Sequence, residues 1–339
     1  MHGALDEDSR FMQVSLEGLA KSLQIDTSTI DTLRTQSATL LSSAELSRLG
    51  DTPDFGGAQS LLQMSVITET IGASCTAADF LNTSLLGPHL LACAESSARN
   101  HASVVSGQRL AVGFSKDLKN VAQGMSQTIV AVDIGLGPHT ILHLDHDRGT
   151  LLASSLPANA PSSGEDIARR ISRLSSADGV PIGSISPVAV ERWVRYAHIA
   201  ISSELLGLMQ GALDMAVAYA KSRAQFGKPI GQFQAIQHIL AESHARVEAV
   251  RSIVRTAADE EDHNGERKHL AKAAKITASE ASIDVIESCI QVHGGLGHTW
   301  ECPLHLYLRR ALLDRQLLGD ESNLLAEVSH DLFDETRQG

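Results

Sequence analysis

From Ser186 onward the apolar residues recur at helical spacing in three unusually long stretches, Val190 to Arg223, Ile236 to Ala258 and Glu266 to His293. Stretches of that length cannot leave their apolar faces in water, so they predict a C-terminal bundle of packed, four-helix-like architecture. Upstream the pattern differs. From about Asp8 to Ser106 the spacing is again helical, as in Leu61, Leu62, Val66, Ile67 and Ile71, with a turn expected at Thr52-Pro-Asp-Phe-Gly-Gly57. Between Arg109 and Ile182 short β-prone runs appear instead: Thr128–Val132, Thr140–Leu144 and Thr150–Leu152, separated by the turn-like Gly135–Pro138 and Asp145–Gly149. Pro157–Gly164 reads as a loop, Asp178–Gly183 as a last turn or strand, and Asp262–Gly265 as the loop leading into the third long helix. The fold class expected is mostly α with a small β-domain. The expected divisions are an N-terminal helical domain over 1–108, a short middle β-domain over 109–185 and a C-terminal bundle over 186–339.

Composition agrees with that order. Of 339 residues 43% are hydrophobic but only 4% aromatic, and the abundance of small and straight-chain residues favours packed helices over a sandwich. A formal net charge of −12 lacks the Lys/Arg excess that a nucleic-acid surface needs. The first eight residues carry acids where a signal peptide needs basic ones, and no apolar run is long enough for a membrane span, so a cytoplasmic protein is expected. The four cysteines, Cys75, Cys93, Cys289 and Cys302, form no CxxC pair, and His238 and His244 lack metal-ligand spacing. No metal site is expected.

Three short motifs bear chemistry. Arg223 stands just before Phe226-Gly-Lys-Pro, and its planar fork suits a pyrophosphate, although an Arg at a helix end is more often a plain complement to the macrodipole. Gln232-Phe-Gln234 offers amides suited to a nucleotide edge, and His293-Gly-Gly-Leu-Gly297 lets backbone approach a bulky ligand, although each alone reads as a helix start and a C-cap. The glycines follow a helix, not a strand, so they are no dinucleotide fingerprint.

Taken as a set, the motifs say more. Arg-x-x-Phe-Gly-x-Pro-Ile from Arg223, then Phe233-Gln234, Gln291-x-x-Gly-Gly-x-Gly, Trp300-Glu-x-Pro303 and Leu308-Arg-Arg-Ala311 closely resemble the C-terminal domain of acyl-CoA dehydrogenases. The resemblance is specific over Pro187 to Asp320 and looser over Phe55-Gly-Gly and Thr68-Glu-Thr-Ile-Gly72. It implies FAD lying across a subunit boundary, with one chain's β-domain holding the isoalloxazine and the partner's C-terminal domain reaching the pyrophosphate and adenosine. Carried over by residue, it gives Arg223, Gln225 and Phe226 as the pyrophosphate grip, Gln234 as a nucleotide contact, and Gln291, His293, Gly294 and Gly295 as a backbone wall.

The same resemblance marks what is missing. Where the family has its flavin-covering loop, this chain reads Gly113-Phe-Ser-Lys-Asp117, and the two positions where the family keeps its catalytic carboxylate read Leu318 and Ala197. No catalytic residue is assigned. The implied protein is the short, non-catalytic subunit of a heterotetrameric (α2β2) steroid acyl-CoA dehydrogenase. It would complete the FAD site for a catalytic α subunit that desaturates a bulky acyl-CoA in lipid and steroid degradation and passes electrons to an electron-transfer flavoprotein. Two alternatives stay open. One is a self-sufficient homo-oligomeric dehydrogenase with a displaced base such as Asp320, with Glu321 or Glu204 as other candidates; the other is a flavin-free scaffold.

Overall fold

The structure, a computed structural model, describes residues 7–25, 32, 36, 39–41, 46, 60–101, 109–124, 128–134, 137–162, 166–175, 179–263 and 267–338. The expected turn at 52–57, with the Phe55-Gly-Gly element, and part of the 135–138 turn lie outside the described residues. Helix α1 spans Glu7–Leu23 and α2 Leu61–Gly72; a π-helical turn, Leu81–Leu86, runs into α3, Gly87–Cys93, followed by α4, Ser96–Arg99. Strands β1 (Arg109–Phe114), β2 (Thr128–Val132), β3 (His139–Asp145), β4 (Thr150–Leu156), β5 (Ile171–Ser175) and β6 (Val180–Ser184) make one sheet. The bundle follows: α5 (Pro187–Ser222), a hairpin of β7 (Ala224–Gln225) and β8 (Lys228–Pro229), α6 (Gln234–His263), α7 (His269–His293), α8 (Leu304–Gln316) and α9 (Glu321–Gln338).

Local chemistry explains most of these boundaries. Ser186 caps α5 by accepting the Ala189 N–H at 3.2 Å, and Pro187 occupies the first turn, where a missing donor costs nothing. Ser60 and Gln63 cap α2 reciprocally, and Asp262 accepts the Leu61 and Leu62 N–H groups at 2.8 and 3.0 Å. Asp262 and His263 therefore belong to the last turn of α6 rather than to a leading loop. Tertiary demand set that boundary: the carboxylate is needed at the start of a helix 200 residues away.

The sheet runs in the order β5-β2-β1-β3-β4-β6, parallel only between β1 and β3. Its side chains alternate: Val112, Phe114, Val130, Val132, Leu142 and Leu144 join the main core, while Ala111, Ile129, Ala131 and Ile141 form a second, smaller cluster. Strands β1 and β2 pair through only Gly113↔Ala131 and Phe114↔Val130, because Asn82 enters where they splay. Its amide donates to the Val112 and Val132 carbonyls at 3.0 and 2.6 Å and accepts the Val112 N–H at 2.7 Å, satisfying backbone that the ladder leaves open. Three of the sequence-expected runs fall on β2, β3 and β4, and Asp178–Gly183 overlaps β6. Strands β1 and β5 carried too little apolar alternation to stand out.

Helix α5 is the axis. Residues 196–209 are all buried, and α2 crosses it at glycine: a Cβ on Gly207 would lie 2.2 Å from the Glu69 carbonyl oxygen, and one on Gly211 2.1 Å from that of Ala73. Backbone cannot yield there as a side chain could. Gly211→Ala is expected to destabilise the protein by about 1–3 kcal/mol through overpacking, read as a lower urea midpoint at constant m-value; an unchanged midpoint would contradict this packing.

Candidate functional site

The last turn of α5 ends at Arg223, whose N–H donates to the Tyr219 carbonyl and whose carbonyl accepts from Ile230, both at 2.8 Å. Those two bonds project β7 and β8 as a small hairpin from the helix end. Its turn residues, Phe226 and Gly227, both have positive φ, 52° and 80°, the geometry that matches the twist of a two-residue hairpin. A phenylalanine is an unusual choice there, and the residue is 93% exposed. The Phe226 and Phe233 rings form a T-shaped pair with centroids 6.2 Å apart, while the Lys228 ammonium lies 4.3 Å over the Phe233 ring.

Arg223, Gln225, Phe226, Gln234 and Gln291 are all exposed, whereas His293 is buried. The His293 Nδ1–H donates to the Cys289 carbonyl at 2.9 Å, and its ring stacks on Tyr219 with centroids 4.4 Å apart and planes 18° apart. Gly294 then turns with φ 60° and ψ −138°, a conformation essentially reserved for glycine, and a Cβ on Gly294 or Gly295 would meet nothing within 4 Å. The sequence-selected residues thus form two exposed structures joined through one ring that was not selected. Tyr219 carries the hairpin by its carbonyl and the glycine turn by its face, a role that no local sequence pattern marks.

The second region is the junction of sheet and bundle. Leu318 is 5% exposed, with φ 60°; its N–H donates to the Leu118 carbonyl at 2.8 Å, and its own carbonyl accepts from His198 Nε2 at 3.0 Å. Leu118 has φ 64°, so two leucines in the left-handed region abut across the junction. The flanking Lys119 reaches Asn323 at 2.6 Å and Asp320 at 3.3 Å. The turn after Gly113-Phe-Ser-Lys-Asp117 is tight, returning at once so that Val121 bridges Phe114. Ala197 is fully buried on α5.

The candidate replacement acids are all engaged. Asp320 caps α9 by accepting the Asn323 N–H at 3.0 Å, and that bond, with Lys119, holds its carboxyl below the usual range. Glu321 pairs with Arg315 at 2.7 Å. Glu204, 4% exposed, accepts from Arg169 at 2.6 Å and faces Arg310 at 3.5 Å. Among the described residues no group of three or more His, Cys, Asp or Glu could hold a metal, and no helix is long and apolar enough to cross a membrane.

Residues 187–331 match the family model described as the acyl-CoA dehydrogenase C-terminal domain. Residues 187–331 thus belong to the acyl-CoA dehydrogenase C-terminal domain family, and the chain's layout of N-terminal helices, small sheet and helical bundle matches the acyl-CoA dehydrogenase fold. Among curated proteins it is 28% identical over 283 residues to acyl-CoA dehydrogenase IpdE2 of Mycobacterium tuberculosis, covering 83% of this chain and 81% of that one. Among solved structures, a variant of the Tcur3481–Tcur3483 steroid ACAD superposes with a TM-score of 0.81 at 24% identity, covering 98% of this chain and 99% of the other. A chain of the ChsE4–ChsE5 complex of Mycobacterium tuberculosis does so at 0.71 and 19%, with 98% and 99% covered. These two likenesses are of fold.

Burial also fixes a pH response at the junction. His198 is pushed down to about 3 by burial, so its imidazole is neutral and Nε2–H is the donor to Leu318. An unfolded histidine takes up a proton near pH 6.5, so stability carried by neutral His198 is present above that pH and is lost as pH falls. Between pH 6 and 4, His198→Gln is expected to reduce the acid slope of the unfolding free energy by about 1.4 kcal/mol per pH unit, with parallel curves contradicting the neutral assignment.

Proposed function

We propose that this chain is the subunit of an FAD-dependent acyl-CoA dehydrogenase that completes the cofactor site of a catalytic partner and carries no base of its own. The observation that carries the reading is the closed junction at Leu118 and Leu318. Where the family resemblance calls for a carboxylate, a leucine stands, hydrogen-bonded by its backbone to the turn that follows β1. Leucine and alanine accept no proton, and the α-hydrogen of an acyl thioester leaves only to a base placed beside it.

The nucleotide half of FAD fits the other region. Arg223 offers a charged bidentate fork, Gln225, Gln234 and Gln291 offer amides, and Gly294 and Gly295 leave open space at backbone. The ring half does not fit the junction, which is filled by side chains and sealed by the Leu118–Leu318 bond. When bound, FAD supplies the hydride acceptor for the dehydrogenation. The roles proposed for this chain's residues are to hold the charged tail at Arg223, to shield it with Phe226 and to stiffen the grip through Tyr219 and His293.

The proposed assembly is an α2β2 heteromer whose partner brings the isoalloxazine site and the base, with an electron-transfer flavoprotein as acceptor. The proposed substrate class is a bulky acyl-CoA such as a steroid side-chain thioester. The steroid ACAD among the fold neighbours supports that class. The proposed units are 1–108, 109–185 and 186–339, and the proposed compartment is the cytoplasm. The capped and ion-paired geometry of Asp320 weighs against a self-sufficient enzyme.

Arg223→Ala tests the reading directly. Removing a charge-assisted contact worth about 1.5–3 kcal/mol is expected to weaken flavin retention by the co-purified complex roughly 10- to 150-fold, followed as the loss of FAD absorbance on dialysis. Undiminished retention would remove Arg223 from the site.

A further inference from the structure

Two guanidinium groups and four carboxylates meet where the sheet touches the bundle. Asp133 follows β2, Asp166 and Arg169 sit in the turn before β5, Glu204 lies on α5, and Arg310 and Asp314 lie on α8; none is more than 4% exposed. Arg169 is the hub. Its Nε faces Asp133 at 3.1 Å, Nη2 donates to Glu204 at 2.6 Å and Nη1 donates to Asp314. Arg310 donates to Asp166 and, at 3.1 Å, to the Thr76 carbonyl, with Glu204 at 3.5 Å.

Charge counting exposes an imbalance. Among the described residues, Cys75 behind α2, Tyr307 on α8 and Lys275 on α7 also act on members of the cluster; burial holds the Tyr307 hydroxyl neutral. Burial pushes the Cys75 thiol up to about 12, so it is neutral. Lys275 is pushed down to about 8 by burial and still carries charge at pH 7, donating to Ser279 and to the Arg315 carbonyl at 2.9 and 3.0 Å. Four carboxylates against two arginines and one lysine leave one negative charge in a site without water-exposed surface, where an uncompensated charge is costly. One proton balances it.

Hydrogen bonding shows where that proton goes. Asp133 faces Arg169 and accepts the Asn82 N–H at 3.0 Å; Asp166 accepts the Ala168 and Arg169 N–H groups at 2.9 and 3.2 Å and a guanidinium N–H of Arg310. Both oxygens of Asp166 therefore meet a donor, while Asp133 accepts one N–H and faces the Arg169 Nε as an ion pair; burial pushes the Asp133 carboxyl up to about 6, which leaves it ionised at neutral pH. Asp314 Oδ2 and Glu204 Oε2 are buried and meet none, although the other oxygen of each carboxyl is held by a terminal nitrogen of the same Arg169. We propose that Asp314 holds one proton at neutral pH, making the sheet-to-bundle junction a proton-binding clasp that loosens under alkaline conditions. Burial, aided by the nearby Glu204 charge, holds the Asp314 carboxyl well above the ordinary range against the pull of Arg169.

The sign follows from linkage. A carboxyl whose folded pKa is raised contributes fully below its unfolded value near 3.9, and that contribution is lost as pH rises toward the folded pKa. Asp314→Asn replaces the protonated acid by a neutral amide of the same shape that can also donate. In the full-length chain, the unfolding equilibrium constant of the wild type is expected to rise about tenfold per pH unit relative to that of Asp314→Asn between pH 6 and 8. Infrared spectra of the folded wild type at pH 8 are expected to show a protonated-carboxyl C=O band that the variant lacks. Parallel pH curves, or a wild type without that band, would overturn the proposal. Should Asp314→Asn fail to fold, the wild-type band alone decides the matter. The proposal stands independently of any flavin, since both readouts are taken on this chain alone.

Discussion

The rest of the molecule depends on the burial of α5. A helix of 36 residues with its middle enclosed on all sides gives every neighbour one rigid reference. Gly207 and Gly211 admit α2 to backbone contact, Glu204 draws in the arginines of the sheet turn and of α8, His198 fixes the Leu318 carbonyl, and Tyr219 carries the exposed hairpin. Packing therefore decides chemistry here. The same helix that closes one possible site holds the other open.

That contrast organises the functional reading. At the sheet-to-bundle junction, buried ion pairs, a backbone bond between two leucines and a lysine reaching two side chains across the seam all oppose opening. Buried ion pairs of this kind specify geometry more than they add stability, because desolvation offsets much of their attraction. At the far end of α5 the arrangement is reversed. Arg223, Phe226, Gln291 and the paired glycines face outward, with Phe226 an almost wholly exposed residue that a solvated monomer gains nothing by presenting.

Much of the fold was legible in the sequence because helical periodicity over long stretches is a strong signal. The helices from Pro187 onward, the strands β2 to β4 and the order of helix, sheet and bundle follow from it. Strand β5 escaped because Ile171-Ser-Arg-Leu-Ser175 alternates too weakly, and Asp262 was placed in a loop because its partner lies across the fold. The residues proposed for the grip were legible as motif residues, as were Leu318 and Ala197 at the positions where the resemblance puts a carboxylate. The ring of Tyr219, the contact of Leu118 with Leu318 and the six-residue ion cluster were not, since each joins residues far apart in the chain and bears no local pattern.

The proposed asymmetry is that this chain grips a nucleotide tail while another chain supplies the ring site and the base. It is tested most directly by the number of flavins per polypeptide, from absorbance and amino-acid analysis, in the complex purified with the proposed catalytic partner and in this chain purified alone. One FAD for every two chains is expected in the complex and none in the isolated chain. One FAD per chain in the isolated protein would contradict it.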